Sequence, residues 1–124
     1  MAKVFLDTNY FIDAIHRKPE REILDHLEGT IIHTSSLSFH IYCYTFKIKM
    51  PNKKVLLQKA KFELVDFSED IVERALGGPT GDFEDNVQLH SAAEAECDIF
   101  LTADKKLLDM KFFGKLYIAQ RYRV

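Results

Sequence analysis

The feature that most constrains the fold is a short apolar run near the start of the chain that leads directly into polar residues. Residues 4–6 are valine, phenylalanine and leucine, and Asp7, Thr8 and Asn9 follow them. Such a run is typical of a strand that is buried on both faces of a parallel sheet. Asp7 would then lie at the carboxyl end of the strand, where ligands bind in open α/β sheets. The alternative is that Asp7 or Thr8 simply caps the helix that follows.

Strand-like and helix-like segments alternate along the rest of the chain. The pattern predicts strands over residues 4–6, 30–34, 62–65, 98–102 and 115–119. It predicts helices between them, including 10–16, 55–61, 82–96 and 104–110. This alternation indicates one α/β domain over residues 1–124, with a mainly parallel sheet of about five strands covered on both faces.

Composition restricts the class of protein. The 124 residues are enough for one ordinary domain, and the formal net charge is −2. No apolar stretch is long enough to span a membrane, and no secretion signal precedes the first strand. These features predict a cytoplasmic protein that does not hold nucleic acid by bulk charge alone.

Four aspartates are expected to meet at one edge of the sheet. Asp7 follows the first predicted strand and Asp104 follows the fourth. Asp82 and Asp85 begin the helix that leads into the fourth strand, and the start of such a helix lies at the same edge. Clustered carboxylates suit a hard cation such as Mg²⁺ or Mn²⁺, which serves phosphodiester hydrolysis. Helix capping is the competing interpretation of Asp82, Asp85 and Asp104.

With these residues in place, the chain resembles the PIN-domain nucleases, which include the VapC-type toxins of toxin–antitoxin pairs. The matching segments are Leu6-Asp7-Thr8-Asn9, Asp82-Phe-Glu-Asp85-Asn86 and Thr102-Ala-Asp104. The resemblance implies a three-layer α/β/α sandwich and a ribonuclease site that uses Mg²⁺ or Mn²⁺. It assigns catalysis and metal binding to Asp7, Asp85 and Asp104, with Thr8, Asn9, Asp82 and Thr102 in support.

One position departs from the family pattern. A further acid, commonly glutamate, is usual in the helix after the second strand, and His40 stands at the matching position here. Helical spacing puts His40 on an apolar stripe with Leu37, Ile41 and Tyr44, so we expect it to face inward. Two interpretations stay open, a hydrogen-bonded core histidine and a substitute ligand. Because one negative charge is missing and imidazole suits transition metals, Mn²⁺ is expected to be preferred over Mg²⁺.

Two functions from different classes follow. The first is a metal-dependent endoribonuclease, the toxin of a type II pair, with an RNA substrate, a small antitoxin partner and a homodimeric state. The second is a catalytically weak or inactive PIN-like module that binds RNA or a protein. Six lysines are candidates for steering the RNA backbone, and a solvated helix face is their other interpretation. They are Lys47, Lys49, Lys53, Lys54, Lys59 and Lys61.

Overall fold

A six-stranded sheet forms the centre of the molecule in the computed structural model, which describes residues 1–123. Its strands are β1 (Lys3–Leu6), β2 (Ile31–Ser35), β3 (Glu63–Val65), β4 (Ile99–Leu101), β5 (Phe112–Phe113) and β6 (Leu116–Ala119). Their order in the sheet is β3-β2-β1-β4-β6-β5, and every pair is parallel except the antiparallel β5–β6 pair. The predicted α/β class and mainly parallel sheet are therefore confirmed. The two-residue strand β5 is an addition, because so short a segment carries no alternating pattern.

Seven α-helices connect and cover the strands of the described chain. They are α1 (Thr8–Ile12), α2 (Ile23–His26), α3 (Ser36–Thr45), α4 (Lys53–Lys59), α5 (Glu69–Leu76), α6 (Phe83–Glu94) and α7 (Lys105–Met110). Helix α1 continues into a π-helical turn over Asp13–Arg17, and a 3-10 turn over Pro19–Arg21 precedes α2. Within residues 1–123, none of these helices combines the length and apolarity that crossing a membrane requires.

Alternating side chains of β1 divide the core between the two faces of the sheet. Val4 and Leu6 pack on one face with Phe11 of α1 and Tyr42 of α3, whereas Phe5 packs on the other in the cluster that contains Leu89 of α6. All three β1 side chains are fully buried. Burial of each contributes roughly 1.5–3 kcal/mol to stability. Strand β1 is therefore held between two helical layers, and this fixes the residue that follows it.

Candidate active site at the carboxyl edge of the sheet

Asp7 lies at the end of β1 and is also the N-cap of α1. Its Oδ1 atom accepts a hydrogen bond of 2.8 Å from the backbone N–H of Tyr10, and its own N–H donates to the carbonyl of Leu101 at 3.2 Å. Only 8 % of the residue is exposed. The capping interpretation is therefore correct, but it is incomplete because the cap uses only one of the two carboxylate oxygens.

Thr102 and Asp104 follow β4, the neighbour of β1 in the sheet. Thr102 is fully buried, and its Oγ1 atom accepts a bond of 3.0 Å from the N–H of Asp104. The Thr102 hydroxyl also hydrogen bonds to the carboxylate of Asp7, which lowers the pKa of Asp7. Asp104 is exposed and caps α7, since its Oδ1 atom accepts from the N–H of Lys106 at 2.8 Å.

The third contribution comes from the first turn of α6. Asp82 is the N-cap, and its Oδ1 atom accepts from the N–H of Asp85 at 2.9 Å. The side chain of Asp85 takes no part in the cap and is half-buried. The two aspartates therefore differ in role, because one carboxylate holds the helix start and the other extends toward the sheet edge.

Asn86 fixes this helix start to the loop before it. The side chain is buried, and its Oδ1 atom accepts from the N–H of Thr80 at 2.9 Å and from the Thr80 hydroxyl at 2.6 Å. Its Nδ2 atom donates to the carbonyls of Ala75 at 2.9 Å and Thr80 at 3.0 Å. The Asn86 amide thus provides hydrogen-bond partners for polar groups of the loop 77–81 and for a carbonyl near the end of α5. Because Asn86 directly follows Asp85, this network holds the backbone of the first turn of α6 in place.

The carboxylates act on one another electrostatically. The pKa of Asp7 is raised to about 6, mainly by burial and also by the charges of Asp104 and Glu84, while hydrogen bonds from Thr102 and Tyr10 lower it. The pKa of Asp85 is also raised to about 6, mainly by burial and then by the charges of Asp82, Asp104, Asp7 and Glu84. Residues far apart in sequence are therefore within electrostatic reach at this edge, as the topology predicts.

Glu84 is the residue that the sequence analysis missed. Burial and then the charge of Asp82 raise its pKa, and its own charge raises the pKa of both Asp7 and Asp85. It lies half-buried in the first turn of α6. The available signal was its place between two aspartates that were already candidates.

The donor set fits a hard divalent cation in its chemistry. The groups are carboxylates, which Mg²⁺ and Mn²⁺ prefer. Among residues 1–123, no lysine or arginine forms an ion pair with Asp7, Asp82, Asp85 or Asp104. Their arrangement is not closed, however, since no three Asp, Glu, His or Cys side chains of that range stand ready to hold a metal ion. Three of the aspartates, Asp7, Asp82 and Asp104, each use one carboxylate oxygen to cap a helix.

A chain of polar side chains lies beneath the acids. The Thr8 and Ser38 hydroxyl oxygens are 3.0 Å apart, and the Ser38 hydroxyl donates to Oε1 of Gln88 at 3.4 Å. Gln88 is 2 % exposed, and its Nε2 atom has no hydrogen-bond partner among the described residues. These contacts join α1, α3 and α6, and they make the Thr8 hydroxyl part of a buried polar network next to Asp7 in the chain.

The expectation that His40 faces inward is wrong. His40 is exposed, and its ring stacks on that of Tyr44 at a centroid distance of 6.1 Å. Tyr44 is itself 79 % exposed, whereas Ser38 and Tyr42 form the buried side of α3. The core interpretation of His40 therefore fails, whereas the ligand interpretation and the preference for Mn²⁺ that depends on it stay predictions.

Asn9 and Tyr10 differ in their relation to the acids. The exposed Asn9 accepts a bond of 3.1 Å at Oδ1 from Arg17, so its amide is occupied outside the cluster. Burial and the charge of Asp7 raise the pKa of Tyr10, while the positive charges of Arg121 and Arg21 lower it. The two guanidinium groups therefore lie on the Tyr10 side of Asp7.

Comparisons with known proteins identify the fold and the family of the chain. The structure of VapBC2 from Rickettsia felis bound to a promoter DNA fragment is 17 % identical, with a TM-score of 0.65 over 94 % of this chain and 97 % of that one. DNA-bound VapBC from Salmonella typhimurium is 20 % identical, with a TM-score of 0.62 over 96 % of this chain and 98 % of that one. No curated protein matches in sequence. The PIN domain pattern matches residues 4–113, which cover all the aspartates described above. The chain therefore belongs to the PIN domain family.

Proposed function

We propose that this protein is a metal-dependent endoribonuclease and the toxin of a type II toxin–antitoxin pair. One observation carries the proposal. Asp7, Asp85 and Asp104 come from three separate elements at one sheet edge, and the charge of Asp104 raises the pKa of both Asp7 and Asp85. No cation of the described chain forms an ion pair with any of the three. An arrangement that costs stability in this way is typical of a functional site.

The residues divide into holding, orienting and supporting roles. Asp7, Asp85 and Asp104 would hold Mg²⁺ or Mn²⁺, which when bound neutralises phosphate charge and activates water. Thr102 orients the Asp7 carboxylate through its hydroxyl. Asp82 fixes the first turn of α6.

Cleavage of a single-stranded RNA with Mg²⁺ or Mn²⁺ tests this function. Asp85→Asn should lower the rate at least about a hundredfold, because it removes one ligand charge and leaves the cap of α6 in place. Asp109→Asn is the matched control, since Asp109 is an exposed aspartate of α7. EDTA should stop cleavage by the unchanged protein. Equal rates for Asp85→Asn and the control would contradict the assignment.

The rival function is a PIN-like module that binds without cutting. The observation in its favour is that α3 contributes no acid to the cluster, since Ser38 faces it and His40 does not. RNA binding without any metal-dependent cleavage would support the rival and refute the nuclease.

A protein antitoxin is the partner we propose. Its support is that the two similar structures above are VapBC complexes bound to DNA. We also propose that the chain forms a homodimer. Light scattering of the purified chain, alone and co-expressed with the product of an adjacent small gene, tests both proposals. A monomer that forms no complex would contradict them.

A further inference from the structure

A pocket of about 480 Å³ lies at the same edge of the sheet as the four aspartates, although none of the four lines it. Two of its lining residues join it to the candidate active site. Tyr10 donates its backbone N–H to the carboxylate of Asp7, and Ala103 stands between Thr102 and Asp104. A molecule in this pocket would therefore lie next to any group held by the aspartates.

The charge of the pocket is opposite to that of the neighbouring acids. Arg21 and Arg121 line it and are exposed, and neither forms an ion pair with another of residues 1–123. The one acid in the lining is Asp13, whose carboxylate contacts Arg17 at 2.9 Å and Lys18 at 3.8 Å. Since the charge of Asp13 is offset by these neighbours, the free charge in the pocket is positive.

The position of the pocket relative to Asp7 is fixed by hydrogen bonds. The Tyr10 hydroxyl donates to the carbonyl of Gln120 at 2.9 Å, which ties α1 to the segment after β6. Arg121 follows Gln120 directly, and β6 pairs with β4. Tyr10 thus contacts the Asp7 carboxylate through its backbone N–H and the segment that contains Arg121 through its ring hydroxyl.

We propose that this pocket binds the RNA phosphate adjacent to the scissile one. An RNA strand that crosses four acidic side chains meets repulsion there, and attraction on the next phosphate offsets it. The guanidinium group presents a planar fork of donors that matches phosphate oxygens. The inference rests on the proposed nuclease function, and it assigns Arg21 and Arg121 to substrate binding and not to the reaction itself.

RNA binding without cleavage tests the pocket. A fluorescein-labelled single-stranded RNA is titrated into the Asp85→Asn protein in EDTA, with and without Arg21→Gln and Arg121→Gln, and anisotropy is measured at several salt concentrations. The two added changes together should weaken binding about tenfold and lower the salt slope of log Kd by about 0.7, since the pocket holds one phosphate and each single-strand phosphate contact contributes about 0.7.

Arg74→Gln is the matched control. It removes one positive charge, as each of the two pocket changes does. Arg74 is an exposed arginine of α5 that pairs with Asp70 and Glu94. We expect its binding and slope to equal those of the Asp85→Asn parent. In the active protein, Arg21→Gln with Arg121→Gln should raise KM for RNA and leave kcat within about twofold, because no reacting group is touched.

Two outcomes would overturn the inference. They are equal RNA binding by the double variant and the control, and no RNA binding by the Asp85→Asn parent. If Asp85→Asn abolishes cleavage while the arginine changes leave RNA affinity intact, the pocket fails and the nuclease proposal stands. If the unchanged protein does not cleave RNA with Mg²⁺ or Mn²⁺, the nuclease proposal fails by itself.

Discussion

Replacing Asp7 by asparagine is expected to stabilise the fold near neutral pH. The Asp7 carboxyl has an ordinary pKa of 3.8, and burial raises it to about 6 in the folded protein. Below both values the group is protonated in both states and makes no difference to stability. As the pH rises from 3.8 toward 6, the unfolded chain releases its proton first, so folding stability falls. Above about pH 6 the loss is complete.

The size of the effect follows from the two pKa values. A difference of about 2 pH units corresponds to about 3 kcal/mol of lost stability at pH 7.5. Asparagine has no charge to desolvate, and its side-chain oxygen still accepts from the N–H of Tyr10, because Asn and Asp cap helices equally well. Asp7→Asn should therefore raise the free energy of unfolding by up to about 3 kcal/mol, or the melting temperature by roughly 10 °C.

Urea denaturation in EDTA measures the effect at two pH values. The gain of Asp7→Asn should be largest at about pH 7.5 and shrink to about 1 kcal/mol at about pH 4.5, where the folded carboxyl is protonated. The exposed Asp109→Asn provides the control and should show no such dependence. A variant that is no more stable than the unchanged protein at neutral pH, or a gain that is independent of pH, would refute the reasoning.

Three further predictions concern the metal, the loop and α3. Mn²⁺ affinity measured by calorimetry should rise between about pH 5 and pH 7, because Asp7 and Asp85, with pKa values of about 6, must lose their protons to bind it; a flat profile would contradict this. Asn86→Ala should lower the free energy of unfolding by about 2–4 kcal/mol in urea denaturation, since it leaves buried groups unpaired. Asn9→Ala, at an exposed position, is the control and should have little effect. Equal losses would be evidence against the hydrogen-bond network of Asn86. His40→Ala should change neither Mn²⁺ affinity nor RNA cleavage, and a tenfold loss in either would support the ligand interpretation of this residue.

The parts of the site that could be predicted are those that depend on topology. Asp7 and Asp104 follow neighbouring parallel strands, and Asp85 begins the helix before one of them. Parallel strands and their connecting helices bring these positions to the same edge whatever the loops do. The sequence pattern was therefore enough to predict that Asp7, Asp85 and Asp104 lie at one edge of the sheet, although the first and the last are nearly a hundred positions apart.

The parts that could not be predicted depend on the rotation of a helix about its axis. Apolar residues occur on several sides of α3, so the spacing of Leu37, Ile41 and Tyr44 indicated a buried face that the structure does not have. The face that packs inward includes Ser38, whose hydroxyl contacts Thr8. Hydrophobicity does not identify a polar contact of this kind. Glu84 escaped prediction for the same reason: it lies one position before Asp85, and the sequence does not show which of the two side chains the helix turns toward the other acids.

The N-cap roles of three aspartates have a consequence for how this fold can lose its activity. Asp7, Asp82 and Asp104 each hold the start of a helix with an oxygen that an amide or a hydroxyl can replace. Asparagine or serine at these positions can therefore replace the aspartate and keep the helix start, so the fold is retained although the carboxylate is lost. Alanine would remove the carboxylate and the cap together. Family members that have become catalytically inactive should keep intact helix starts. The fold alone is therefore a poor guide to whether a given member cleaves RNA.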